Sequence, residues 1–313
     1  MRELESTIDL TEKIQKDRAR PFSIKAFLLT RMLDPTLNVY LSSSMKQVIC
    51  IKWGTLYGPE YVNVMWAMCR RNLTGDFTLI CFTDDITSVR SEVKCLPLPS
   101  LGCEIPADVP GKWPKIALWG KELGGLTGTA LFIDLDTVIV ANIDDYFTYG
   151  DPHDVITARN WVRYFGKHGQ TSVFRFPIGG NSYMLENLQA DSATISRKYR
   201  FEQNYVTAGV KGGVRFWPHQ WTKHFGIHCM GIWPLRWLRP AVLPRDAKIV
   251  TFPGPPKPPD AILGQFSKKM PHLGRSAYFK WMMDQRRGGD RRWRRMLHRF
   301  LFPTDWVSEH WRE

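Results

Sequence analysis

The chain has 313 residues, 43% of them hydrophobic and 13% aromatic, with 43 basic against 30 acidic side chains and a net charge of +13. That composition excludes a largely disordered chain and suffices for one large core or two small ones. No stretch reaches the roughly 20 uninterrupted apolar residues that a bilayer-spanning helix needs, so a membrane-spanning protein is not expected.

Residues 1–45 read as a polar N-terminal arm; its first twenty, MRELESTIDLTEKIQKDRAR, are charged throughout and lack the apolar core of a secretory signal, which points to a cytoplasmic protein. VICIKW (48–53) then predicts a buried strand ending at Gly54, and Pro59 opens a helix in which Val62, Met65, Trp66, Cys69 and Leu73 recur at helical spacing. FTLICFT (77–83) predicts a second strand ending at Asp84 and Asp85, VKCLPL (93–98) a third, WPKIALWGKEL (113–123) a helix and TALFID (129–134) a further buried strand. Apolar strands alternating with helices imply an α/β class, with a mostly parallel central sheet flanked by helices.

Beyond Gly150 the segments shorten. VITA, VFRF, NSYML, VRFWP and KIVTF predict strands, with helices near 189–200 and 202–208, and the proline-dense FPGPPKPPD (252–260) predicts a loop. These boundaries give one catalytic domain over 46–264, with a first half at 46–150 and a second at 151–264. Residues 265–313 form a basic, aromatic C-terminal tail, with seven arginines between Arg286 and Arg299. The six cysteines show no C-x-x-C or zinc spacing, so reduced, mostly buried thiols are expected.

The strongest chemical signal is ALFIDLDTVIVANIDDYF, where Asp134 and Asp136 follow a strongly apolar strand. A buried, unpaired carboxylate costs several kcal/mol, so acids in this position need a cation, a donor array or solvent. A bound divalent metal, Mn²⁺ or Mg²⁺, supplies all the compensation. Side chains at i and i+2 stand about 6.6 Å apart on a strand whereas Mg²⁺ takes oxygens at roughly 2.1 Å, so the chain is expected to bend after Asp134.

FIDLDTVIVANIDDYF resembles the D-x-D segment of the glycogenin and lipopolysaccharide galactosyltransferase family, retaining enzymes of the GT-A fold, whose typical form is FLDADTLVLxNIDELF. Upstream, CIKWGTLYGPEYV is similar to that family's first strand and nucleotide loop, FTDD to its second strand end and PKIALW to its K-L-x-x-W helix, all in family order over residues 48–148. The resemblance implies transfer of a sugar from a nucleotide diphosphate donor, a UDP-sugar, to an acceptor hydroxyl. Asp134 would touch the ribose and the metal, and Asp136 would chelate the metal bridging the two phosphates. Lys52, Trp53, Gly54 and Tyr57 would border the nucleotide, with Tyr57 on the base, Asp84 or Asp85 accepting from the base, and Lys115 pairing with the donor.

Downstream the match thins. GGNSYML (179–185) resembles the family's F-N-S-G-V strand and FEQNYV (201–206) its G-D-Q segment, which would bring Asn181, Glu202 and Gln203 to the sugar and acceptor pocket, with Gln203 near the anomeric carbon. VTFPGPPKP resembles H-F-x-G-x-x-K-P, with Gly254 and Lys257 retained for the phosphates but Thr251 where the metal-binding histidine belongs; a register slip of two puts Pro253 there instead. Either the metal is held with water in the third position, or another histidine such as His228 substitutes, or catalysis has been lost.

The retaining chemistry implied by the resemblance passes through an oxocarbenium-like state, with the departing phosphate oxygen as base. Two rival readings remain: a basic protein that binds nucleotide sugar or membrane without turnover, and a haloacid-dehalogenase-type phosphatase with Asp134 as nucleophile. The latter lacks the later G-D-x-x-x-D motif it needs. The basic tail suits an anionic membrane surface, hence a peripheral position on the inner face of the cytoplasmic membrane near a glycan or lipid-linked acceptor; nucleic acid is not expected as the partner.

Overall fold

Four apolar segments build the centre of the sheet: β1 (Lys46–Lys52), β2 (Phe77–Thr83), β3 (Lys94–Leu96) and β4 (Thr129–Ile133). In this computed structural model, which describes residues 45–162 and 166–313, they lie parallel in the order β3-β2-β1-β4, with Val48 opposite both Leu79 and Leu131. The side-chain period of two then sorts them onto two faces. Val48, Cys50, Leu79, Cys81, Leu131 and Ile133 meet Val62, Met65 and Cys69 of helix α1 (Pro59–Asn72). Ile49, Ile80, Phe82, Ala130 and Phe132 meet the opposite layer, built from the 3₁₀ helix Trp113–Trp119 and helix α2 (Tyr183–Ala190). Both faces are covered, which is why these strands read as continuous apolar runs rather than alternating ones.

Past β4 the chain leaves this sheet at Asp134 and enters a second one at β5 (Thr137–Ile139). The first sheet is completed by β7 (Gly169–Pro177), antiparallel to β4, by β6 (Ile156–Arg159), antiparallel to β7, and by the two-residue edge strand β8 (Arg215–Phe216). The second sheet has the order β5-β10-β9, with β9 at Thr222–His224 and β10 at Ile249–Thr251. The result is a seven-stranded, mostly parallel sheet flanked by helices, with a small three-stranded sheet beside it.

Several expected elements differ in kind. NSYML is not a strand: Met184, Leu185 and Leu188 are buried at helical spacing and open α2. The expected helix over 113–123 is a 3₁₀ helix that stops at Trp119, because Gly120 turns away with φ −56° and ψ 153°. The proline-dense stretch is a loop only to Lys257. Pro258 sits at the first helical position of α5 (Pro258–Leu263), where a missing N–H costs nothing, and Asp260 accepts the Lys257 N–H at 3.0 Å. Helices α3 (Ser192–Tyr199) and α4 (Glu202–Gly209) fall close to their expected places. The N-terminal arm lies outside the described residues apart from Met45.

The C-terminal segment is bound into the core. It contains α6 (Arg275–Arg287) and α7 (Asp305–His310), and Leu301 and Val307 join the same apolar cluster as β1 and α1. Trp311 packs edge-on against Tyr61 at 5.2 Å, and Arg71 of α1 donates to the carbonyls of His310 and Arg312. Among the described residues no helix is long and apolar enough to cross a membrane. All six thiols are free, and four of them, at Cys50, Cys69, Cys81 and Cys229, are buried.

Val307 is fully buried. Val307→Asp therefore inserts an unpaired carboxylate into the main core and is expected to lower the unfolding free energy of the whole protein by roughly 3 kcal/mol or more, read as a shift in urea midpoint. A tail packed independently of the core would leave that midpoint unchanged.

Candidate active site

The break between β4 and β5 opens onto a cleft of about 700 Å³. Asp134, Leu135 and Asp136 form one wall of it, so the bend required by a shared cation site is present. Asp134 directly follows β4 with its N–H on the Ser172 carbonyl at 2.8 Å, and Asp136 is tied back by its own carbonyl, which accepts the Phe252 N–H at 2.9 Å. The two sheets thus hold one carboxylate each.

Each carboxylate has its own lysine. Lys115, nearly buried in the 3₁₀ helix, donates to Asp134 Oδ1 at 2.8 Å and to the Thr171 carbonyl at 2.7 Å, with its ammonium 4.2 Å from the centre of the Phe132 ring. Lys257 donates to Asp136 Oδ2 at 2.5 Å, and Tyr57 donates to the same oxygen at 2.8 Å. Burial first, then the Asp136 charge, raises the Tyr57 phenol far above its ordinary range, so this tyrosine stays a proton donor at any physiological pH. Ion pairs in so shielded a place are costly to break on one side only.

The opposite wall comes from α4 and the start of β7. Glu202 is 8% exposed and fixed between two elements: Oε2 accepts the Lys112 N–H at 3.3 Å and Oε1 accepts the Thr171 hydroxyl at 3.4 Å. Gln203 lines the cleft beside it. Pro253 and Gly254 close the rim ahead of Lys257, and Gly254 has φ +85°, a conformation that favours glycine.

Of the sequence-derived candidates, the cleft gathers Trp53, Tyr57, Lys115, Asp134, Asp136, Glu202, Gln203, Gly254 and Lys257. It does not gather Lys52, Gly54, Asp84 or Asp85. Buried Lys52 donates to the Asp85 carbonyl at 3.1 Å, and the Gly54 N–H donates to the Asp84 carboxylate at 2.9 Å, so these four knit the ends of β1 and β2 together. Asp84 and Asp85 face a separate depression of about 560 Å³. Asn181 lies beyond the far end of β7, where its side-chain Oδ1 accepts the Tyr183 hydroxyl.

The near end of β7 supplies Gln170, Thr171 and Ser172 to the cleft instead. Their sequence signal was the polar triplet directly before the apolar VFRF. It became meaningful only once β7 was seen to run antiparallel to β4, which turns that triplet toward Asp134. Lys112 also lines the cleft and was missed; it stands 5.4 Å from the Trp53 ring.

Thr251 is fully buried, its hydroxyl donating to the Lys223 carbonyl at 3.3 Å, and it does not line the cleft. His228 accepts the His224 N–H and lines a different cavity of about 50 Å³ beside Trp161. Burial, and then the neighbouring His228, pushes His224 down to about 4. No group of three or more His, Cys, Asp or Glu side chains among the described residues is arranged to hold a metal. Asp134 Oδ2 and Asp136 Oδ1 accept no hydrogen bond from the described residues. Two carboxylates on one cleft, each with an oxygen uncommitted, fit a Mg²⁺- or Mn²⁺-like ion that draws its other oxygens from a diphosphate and water.

Neither a family model nor a curated protein matches the chain by sequence. In structure the chain is similar to the galactosyltransferase LgtC solved in complex with donor and acceptor sugar analogues, with a TM-score of 0.51 at 10% identity over 84% of this chain and 99% of that one. The chain has the GT-A fold. Weaker likenesses are to the apo bifunctional glycosyltransferase WbbM, at TM-score 0.48, 14% identity and 72% of this chain, and to the apo glycosyltransferase GlyE of Streptococcus pneumoniae TIGR4, at 0.47, 14% and 85%. This chain covers 48% of the length of WbbM and 64% of that of GlyE.

Lys257→Met leaves the buried Asp136 carboxylate with only the Tyr57 hydroxyl. The variant is expected to lose about 1–3 kcal/mol of stability in chelator-treated buffer, and to recover more of it than the wild type on adding Mn²⁺, as measured by thermal denaturation with and without the ion.

Proposed function

We propose that the protein is a metal-dependent glycosyltransferase that moves a hexose from a UDP-sugar to an acceptor hydroxyl, with retention at the anomeric carbon, in the assembly of a cell-surface glycan. The observation that carries this reading is the pair Asp134 and Asp136 at the seam of two sheets, on one cleft with Lys115, Lys257 and Gln203. Asp134 and Asp136 would hold a divalent cation, which when bound would supply positive charge to the departing diphosphate.

The protein's own groups divide the remaining work. Lys257 leaves Asp136 for the phosphates, so its ammonium follows the negative charge from the resting carboxylate to the leaving group. Trp53 and Tyr57 offer aromatic faces to the base. Glu202, immobilised by Lys112 and Thr171, sets the sugar's orientation, and Gln203 lies beside the reacting carbon. The acceptor O–H forms the new bond to the anomeric carbon as the bond to the β-phosphate oxygen breaks, and the proton passes to that departing oxygen. UDP and the glycoside are the products.

The phosphatase reading gains nothing from this cleft, whose only acids among the described residues are Asp134, Asp136 and Glu202. The non-catalytic reading is favoured by one specific observation, the engaged Thr251 hydroxyl where a third metal ligand was expected. Calorimetry separates them. UDP with Mn²⁺ is expected to bind the wild type and to give no measurable heat with a folded Asp136→Ala variant, while Mn²⁺ without UDP binds at least tenfold more weakly, because both carboxylates already hold a lysine. Slow hydrolysis of a UDP-hexose by the wild type marks an enzyme; binding without any turnover would leave a nucleotide-sugar receptor.

A further inference from the structure

A second cavity, of about 1,080 Å³, opens beside the cleft and shares Leu56, Tyr57 and Lys257 with it. Its far side is made wholly by the C-terminal segment. Phe266, Met270, Trp281 and Met296 present apolar surface, and Tyr61 and Trp311 continue it on the near side. Lys268, Lys269, Arg295 and Arg299 stand around the same space, all of them exposed.

These cations are in excess over the acids that share the cavity. Three acids line the cavity: Asp290 is paired with Arg292 at 3.1 Å, Asp260 accepts the backbone N–H of Lys257, and Glu60 has no ion-pair partner among the described residues, so the acids remain fewer than the cations. Lys268, Lys269, Arg295 and Arg299 have no carboxylate within ion-pair distance among the described residues, and the Arg299 guanidinium stands 5.6 Å from the centre of the Phe266 ring. The segment is held in place from within, where the Tyr278 hydroxyl donates to the Met296 carbonyl at 3.1 Å, and from the rest of the fold, where Trp237 Nε1 donates to the Leu297 carbonyl at 2.8 Å and the Ala241 carbonyl accepts from Trp306 Nε1 at 3.1 Å. The apolar lining is therefore a built feature rather than a collapsed tail.

We infer that this cavity binds the acceptor, and that the acceptor is an amphiphile carrying a phosphate next to a hydrocarbon chain, such as a lipid-phosphate-linked saccharide. A neutral glycan would engage neither the four hydrated cations nor the aromatic walls, whereas a lipid phosphate engages both: the phosphate accepts from the guanidinium groups and the chain covers Trp281, Met296 and Phe266. The shared Tyr57 and Lys257 then bring the acceptor's sugar end to the donor cleft. This deepens the transferase reading and rests on it only for the word acceptor; the binding site stands on the cavity.

Farnesyl phosphate is the probe, titrated against the full chain below its micelle concentration, with farnesol, inorganic phosphate and phosphatidylglycerol vesicles as parallel arms. Farnesyl phosphate is expected to bind at least tenfold more tightly than farnesol or inorganic phosphate, to quench tryptophan fluorescence, and to weaken tenfold or more in Arg295→Gln/Arg299→Gln and severalfold in Trp281→Ala, with the thermal midpoints of these variants close to wild type. Equal affinity for farnesol, or equal affinity in the variants, overturns the inference; so does binding confined to the vesicles, which marks a membrane-surface patch instead. UDP with Mn²⁺, titrated into the wild type alone, is the separate arm: its failure sinks the transferase reading, and failure of the farnesyl phosphate arm with that one intact sinks only this inference.

Discussion

Two carboxylates at the seam between a parallel sheet and a small mixed one are the constraint around which the rest is arranged. β4 delivers Asp134 and the chain must break before β5 to deliver Asp136, because a continuing strand would keep the pair too far apart to share a ligand. Neither acid is left bare. Lys115 comes from the layer above the sheet and Lys257 from a loop 121 residues downstream of Asp136, so the seam is closed by contacts that span most of the described fold. A ligand with its own negative charge would have to compete for those lysines, so its binding would exchange partners rather than fill a void.

Thr251, on β10, is committed to the fold. A third ligand on β10 would matter most if the protein had to hold a cation by itself. Here the hydroxyl is buried against the Lys223 carbonyl, and Thr137, opposite it across the β5–β10 pair, is equally buried. The second sheet is packed as structure at that point, and the two carboxylates line the cleft. Thr137 Oγ1 has no hydrogen-bond partner among the described residues, a local cost at the base of the seam that nothing nearby offsets.

The C-terminal segment gives the cleft a neighbour. Its arginines look, in one dimension, like a solvated charge run, yet Leu301 and Val307 enter the main core and the segment's aromatic residues wall a cavity that meets the cleft at Tyr57. Charge stays outside and ring surface turns in, as expected of side chains whose stems and rings pack while their heads remain hydrated.

The parallel half of the sheet, α1 and the D-x-D corner were legible from sequence because they rest on local signals: continuous apolar runs, a proline at a helix start, two acids at a strand end. Lys115, Gln203 and Lys257 had no such local signal and were candidates through motif resemblance alone; the structure brings them to one cleft. What tertiary structure alone decided were the non-local matters. Antiparallel β7 turns Gln170 to Ser172 toward Asp134 and leaves Asn181 at the wrong end; Lys52, Gly54, Asp84 and Asp85 spend their polar groups on each other; and the tail folds back onto Tyr61. Period and capping are properties of neighbouring residues, whereas strand direction and partner choice depend on burial shared between segments far apart in the chain, which no local pattern encodes.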